Sequence, residues 1–111
     1  MNYSIYVILH FETKKEHTKI KLMNKVKKII EEEYKINQIE GNIIIVELEN
    51  ISTWEYCVYK IIDFAQDFGY QWIITGSINF EISLWSNDSK ISGIKAMEIN
   101  CSNNYECANF T

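Results

Sequence analysis

The chain has 111 residues, 47% of them hydrophobic and 14% aromatic, which suits one domain with its own core and excludes a disordered segment. Its formal net charge is −4 at pH 7, and all eleven basic residues are Lys. An acidic chain without a guanidinium lacks the bidentate grip on phosphate and guanine, which argues against direct binding to nucleic acid.

From the N-terminus, Met1–Ser4 carries no basic region and the apolar run Ile5–Leu9 stops at His10, unlike a signal peptide. No stretch approaches the roughly 20 apolar residues of a membrane span. A cytoplasmic protein without membrane contact is the expectation. Tyr3–Phe11 alternates Tyr3, Ile5, Val7, Leu9 and Phe11 against Ser4, Tyr6, Ile8 and His10, the period of a half-buried strand. Thr13 and Glu16 have capping-box spacing, predicting a helix to about Tyr34 that buries Ile20, Met23, Val26 and Ile30 with Leu22 and Ile29. Residues 35–42 read as a loop ending on Gly41-Asn42.

The β-branched run in Ile43–Glu49 predicts an interior strand. Ser52-Thr53-Trp54-Glu55 is a second capping pattern, opening a helix to Phe68 with Gly69 as a left-handed stop. Trp54, Val58, Ile61, Ala65 and Phe68 form its core stripe, flanked by Cys57, Ile62 and Phe64. WIITGSINFEISLW (72–85) alternates over fourteen residues and predicts one long strand, with a bulge or bend at Gly76. The turn residues 86–89 lead into a strand over Ile91–Cys101, closing a hairpin. Residues 102–111 read as a loose polar tail.

The predicted fold is therefore α/β (α+β), one domain over 1–101. It is a two-layer sandwich in the order β-α-β-α-β-β, with two helices on one face of a four-stranded mixed sheet ending in a C-terminal hairpin. The other face of the sheet is left open, with Tyr6, His10, Glu47, Glu49, Thr75, Asn79, Glu81 and Glu98 as its expected residues.

Charge is split along the chain. Residues 1–35 hold eight Lys against five acids, and residues 36–111 hold three Lys against ten. Glu55, Tyr59, Asp63, Gln66 and Asp67 step by three and four along the outer side of the second helix. Tyrosine supplies contact area at little rotamer entropy, and carboxylates pair with Lys or Arg and speed encounter, so this stripe suits docking of a basic protein. Glu47 and Glu81 on the open face form the competing surface.

No motif for a metal, a cofactor or a phosphate loop is present, and none of these groups is expected. His10 and His17 lack metal-ligand spacing. Ser77 sits within a strand pattern, away from a nucleophile elbow, so no catalytic residue is assigned. Cys57 falls on the buried face of the second helix, and Cys101 and Cys107 are expected to stay reduced.

The length, the α/β order, the acidic second half and the flow of QWIITGSINFEISLWSNDSKISGIKAMEI into a closing hairpin resemble the small immunity proteins of bacterial contact-dependent and polymorphic toxin systems. That resemblance covers about residues 1–100 and implies a non-enzymatic cytoplasmic protein. It implies one that binds a cognate toxin domain, commonly a nuclease, and blocks its basic active site. It assigns no residue position by position. Two other expectations come from the residues themselves: a homodimeric or ligand-binding sheet-face module, and a small enzyme using His10 with a nearby Glu.

Overall fold

Tyr3, Ile5, Val7 and Leu9 are buried along the first strand, β1 (Tyr3–Phe11), while Ser4, Tyr6 and His10 are exposed, as a period of two requires. The structure, a computed structural model, describes residues 1–77 and 79–103. After β1 come α1 (Glu16–Glu31), β2 (Lys35–Glu40), β3 (Ile43–Leu48), α2 (Trp54–Gln66), β4 (Ile73–Thr75), β5 (Glu81–Ser86) and β6 (Ile94–Ser102). The strands form one six-stranded sheet in the order β2-β3-β1-β6-β5-β4, with every adjacent pair antiparallel. The α+β class stands. The four-stranded mixed sheet does not.

Two features account for that correction. The segment expected to be a loop over 35–42 is β2 plus a two-residue turn, Gly41-Asn42, with Glu40 paired to Ile43 and Gly41 at φ +58°. Gly-Asn between two extended runs is hairpin chemistry. Because β2 lies between α1 and β3, the chain reverses once more than expected and β3 meets β1 antiparallel rather than through a parallel crossover. The second feature is Gly76 at φ +100°, where the alternating stretch 72–85 folds back on itself. Ile73 pairs with Trp85 and Thr75 with Ser83, so one predicted strand is a hairpin of two.

Both helices cover the same sheet face. Met23, Val26 and Ile30 of α1 and Trp54, Cys57, Ile61, Phe64 and Ala65 of α2 are buried in one cluster with Ile5, Val7, Leu9, Ile44, Val46, Ile82, Leu84, Met97 and Ile99. Each large side chain so buried contributes roughly 1.5–3 kcal/mol. Phe64 packs on Phe68 at 5.0 Å and edge-on to Tyr34 at 5.5 Å, joining α2 to the entry of β2.

Local details refine the sequence reading at several points. Lys15, not Thr13, is the N-cap of α1; Thr13 Oγ1 accepts instead from the Lys15 amide at 3.1 Å, a local turn before the helix. Ile20 is 58% exposed rather than in the stripe. Thr53 caps α2, its hydroxyl accepting from the Tyr56 amide at 3.1 Å. Gly69 is not a left-handed stop: a Cβ there would lie 3.0 Å from Ser86 Oγ and from the Trp72 ring, so glycine serves close packing. In β6 the register shifts beside His10 and Phe11, which lets both Ile94 and Met97 face the core. Ser102 closes β6 and Asn103 is buried, its amide donating to the Phe80 carbonyl at 2.7 Å. The rest of the expected tail, residues 104–111, lies outside the described residues. Among the described residues no helix is long and apolar enough to cross a membrane.

Candidate functional site

The outer stripe of α2 is laid out as its spacing demands. Burying Trp54, Cys57, Ile61 and Phe64 turns Glu55, Tyr59, Asp63, Gln66 and Asp67 outward, and all five are exposed. Tyr59 is 61% exposed, and Tyr56 stacks beside it with ring centroids 6.1 Å apart. Tyr56 was missed by the stepping pattern, although its place three residues before Tyr59 is the signal for a shared face. Asp67 also meets the end of α1: a cavity of about 290 Å³ is lined by Glu32, Glu33 and Asp67 together with Tyr34, Phe64 and Phe68. Among the described residues, none of Glu32, Glu33, Glu55, Asp63 and Asp67 forms an ion pair. Two helix C-termini converge there as well, and their dipoles add to the negative potential. This side of the molecule is therefore a tyrosine-bearing acidic surface, in which Lys60 interacts electrostatically with Asp63 without forming an ion pair.

The opposite side is the open sheet face. Glu47 and Glu81 both lie on it, but three strand steps apart through β3-β1-β6-β5, roughly 14 Å at the usual strand spacing. They are not one site. Glu47 is also committed, since Lys35 Nζ lies 3.8 Å from it and 3.8 Å from Glu49. Between them the register places Tyr6 beside Ile45, and Ile8 beside Ile43, with Trp85 opposite Glu98 and Ile73. An apolar band thus crosses a face expected to be polar. Asn79 lies in the turn before β5, off that face, and Glu49 lies beyond the end of β3.

His10 Nε2 is 2.8 Å from Glu98 Oε2, a pair that β1 and β6 bring together from 88 residues apart. His10 lines a cleft of about 670 Å³ between β1, α1 and the β2–β3 turn, together with Phe11, Ile20 and Met23 and the cations Lys14, Lys19 and Lys95. Among the described residues no group of three or more His, Cys, Asp or Glu side chains is arranged to hold a metal ion.

Cys101 turns inward and meets Cys57 across the α2–β6 contact, both buried and free. The hydrogen bond between the two side chains, and then burial, push the Cys57 thiol far above the ordinary thiol range. The same hydrogen bond lowers the Cys101 thiol, against the raising effect of its burial, and both side chains are shielded from solvent in the core. Cys107 lies outside the described residues. The Tyr34 phenol is raised by its burial, with Lys60 acting in the opposite direction.

Compared with known proteins, no family model matches this chain, and no curated sequence or solved structure matches it significantly.

Proposed function

We propose that this protein is an immunity or inhibitor protein that binds a cationic partner, a toxin domain of the nuclease class, and neutralises it by covering its basic active site. The observation that carries the reading is the outer surface of α2. Glu55, Asp63 and Asp67 lie exposed on one stripe with Tyr56 and Tyr59, and among the described residues no cation lies within ion-pair distance of them. A nuclease groove presents Lys and Arg to phosphate, and a fixed row of free carboxylates competes for those cations. Aromatic anchors give such an interface its desolvated centre.

The test is a charge-reversal scan on affinity for a basic C-terminal toxin domain, sought in the reading frames adjoining this gene, with rescue of cells that express that domain. Asp63→Lys with Asp67→Lys should weaken binding at least a hundredfold, and Tyr59→Ala about tenfold. Loss on changing Glu47 and Glu81 alone would transfer the site to the open face. Wild-type protein that neither binds nor rescues would end the proposal.

Two other readings each have one observation in favour. The apolar band on the open face, with Tyr6 at 45% and Trp85 at 38% exposure, fits a homodimeric module, and sedimentation at increasing concentration decides it. The 2.8 Å His10–Glu98 pair beside the cleft has the form of a base and its orienting carboxylate. An activity lost in His10→Ala and retained in Asp63→Lys would favour the enzyme.

A further inference from the structure

The two ends of the sheet are guarded differently. At the β4 end, Ile73 is 59% exposed and Ile74 is 48% exposed, although they point to opposite faces. Ile74 lies opposite Leu84 and so belongs to the core face, yet the helical layer does not cover it. Tyr70 (68%) and Trp85 (38%) extend the apolar surface on either side. Among the described residues β4 pairs with β5 alone, so its outer backbone N–H and C=O groups have no strand partner. Ile73-Ile74-Thr75 has no charge, no proline and no register shift, so its short length is the one device of edge protection it carries. Free ladder groups between exposed isoleucines select one kind of occupant, an extended strand with apolar side chains at alternate positions.

The charges around that edge select the occupant's other side chains. From Ile61 to Ser89 the chain holds Asp63, Asp67, Glu81 and Asp88 and no Lys. Lys90, the next cation, is engaged: its Nζ donates to the Gln66 carbonyl at 2.6 Å and lies 5.2 Å from the Tyr70 ring centroid. Asp67 is two residues before Gly69, and Gly69 packs against Trp72, the residue that precedes β4. The chain thus runs directly from the end of α2 to the bare edge, while the Asp67 side chain itself lines the cavity with Glu32, Glu33 and Tyr34.

We infer that β4 is a strand-addition site, at which a basic, extended segment of the partner pairs with residues 73–75 while its cations meet Glu81, on the strand paired with β4, or Asp88, whose carbonyl accepts from the Tyr70 amide at 2.9 Å. This rests on the acidic-surface reading above and states how the partner is held. Main-chain pairing supplies affinity, and the isoleucines and carboxylates supply selectivity.

A capped peptide of alternating Lys and Val is the probe, with the Glu–Val peptide as its control. The Lys–Val peptide should slow exchange at least tenfold at those amides of residues 73–75 that face away from β5, and the Glu–Val peptide should not. Ile74→Lys should weaken the Lys–Val peptide tenfold or more. Ile73→Lys, on the other face, guards against an effect peculiar to one position. Both sites are exposed, and an unchanged melting curve verifies folding. If the peptide binds as well to both variants but not to Asp63→Lys with Asp67→Lys, the edge is wrong and the acidic-surface reading survives. If it binds no form of the protein, strand addition is wrong, and rescue of toxin-expressing cells judges the broader reading separately. Concentration-dependent dimerisation abolished by Ile74→Lys, with no peptide bound, would make a second copy the occupant and overturn the proposal.

Discussion

The two ends of the sheet obey different rules, and the difference separates stability from recognition. At the β2 end, Lys35 reaches Glu47 and Glu49, Gln38 is hydrogen-bonded to Glu40, and the register shifts between Ile36 and Gln38. Charge and a bulge are how natural sheets deter edge-to-edge pairing. Tyr34 and Ile36 pack on the core from that side, so the edge is tied to the helical layer. β4 is three residues long, exposed on both faces and uncharged. One edge is closed and the other is open, in the same sheet.

The sharpest way to test this contrast is at the two hairpin turns. Gly76 lies at φ +100°, and a Cβ there would be 3.3 Å from the Glu81 carbonyl oxygen. A β-branched side chain is strained in that region, so Gly76→Val should cost about 2 kcal/mol by urea denaturation and detach β4 from β5. Gly41 is at φ +58° with no atom near a built Cβ. Asn accepts that left-handed conformation, so Gly41→Asn should cost less than about 1 kcal/mol. Equal losses at the two turns would show that β4 is as integral to the fold as β2.

Exchanging the guards is expected to have a smaller effect on stability and a visible one on association. Lys35→Ile with Glu40→Val removes exposed ion pairs worth at most about 1 kcal/mol, since solvent screens them. It should leave the melting temperature nearly unchanged while making β2 a second sticky edge, seen as concentration-dependent sedimentation. Adding Ile74→Lys should not reverse that association, because the guard would be at the wrong end. If it does reverse it, β4 carries the contact.

This contrast also marks where the sequence was legible. Alternation found β1 and the stretch that contains β5, because one face of each lies on the core; a β-branched run found β3, and β6 was read as the return strand after the turn residues 86–89. Alternation missed β2 because Lys35-Ile-Asn-Gln-Ile-Glu40 has only two apolar residues and is exposed along most of its length; an edge strand has little core to report. The Gly41-Asn42 turn held the missing information. It fused β4 with β5 because a two-residue period runs unbroken through Gly76, and periodicity cannot reveal that the chain has turned back. The α2 stripe was legible because helical spacing alone decides which residues point away from a buried face. The His10–Glu98 contact and the apolar band were not, since both depend on which strands are neighbours.

The smallest expected effect is a pH dependence confined to the closed edge. Burial raises the Tyr34 phenol above its ordinary value of 10.0, so the folded state favours the protonated form more than the unfolded chain does. The resulting stability is fully present below about pH 10 and is lost as pH rises through the higher folded value. The urea midpoint should therefore fall in that alkaline range, and Tyr34→Phe, which has no proton to lose, should fall less. Ionisation places a charge beside the Phe64 ring at the entry to β2. The methyl resonances of Ile36 and Ile39 should consequently shift before those of Ile73 and Ile74. Simultaneous shifts at both ends would mean that the β4 edge is coupled to the helical layer after all, and the division between a closed and an open edge would fail.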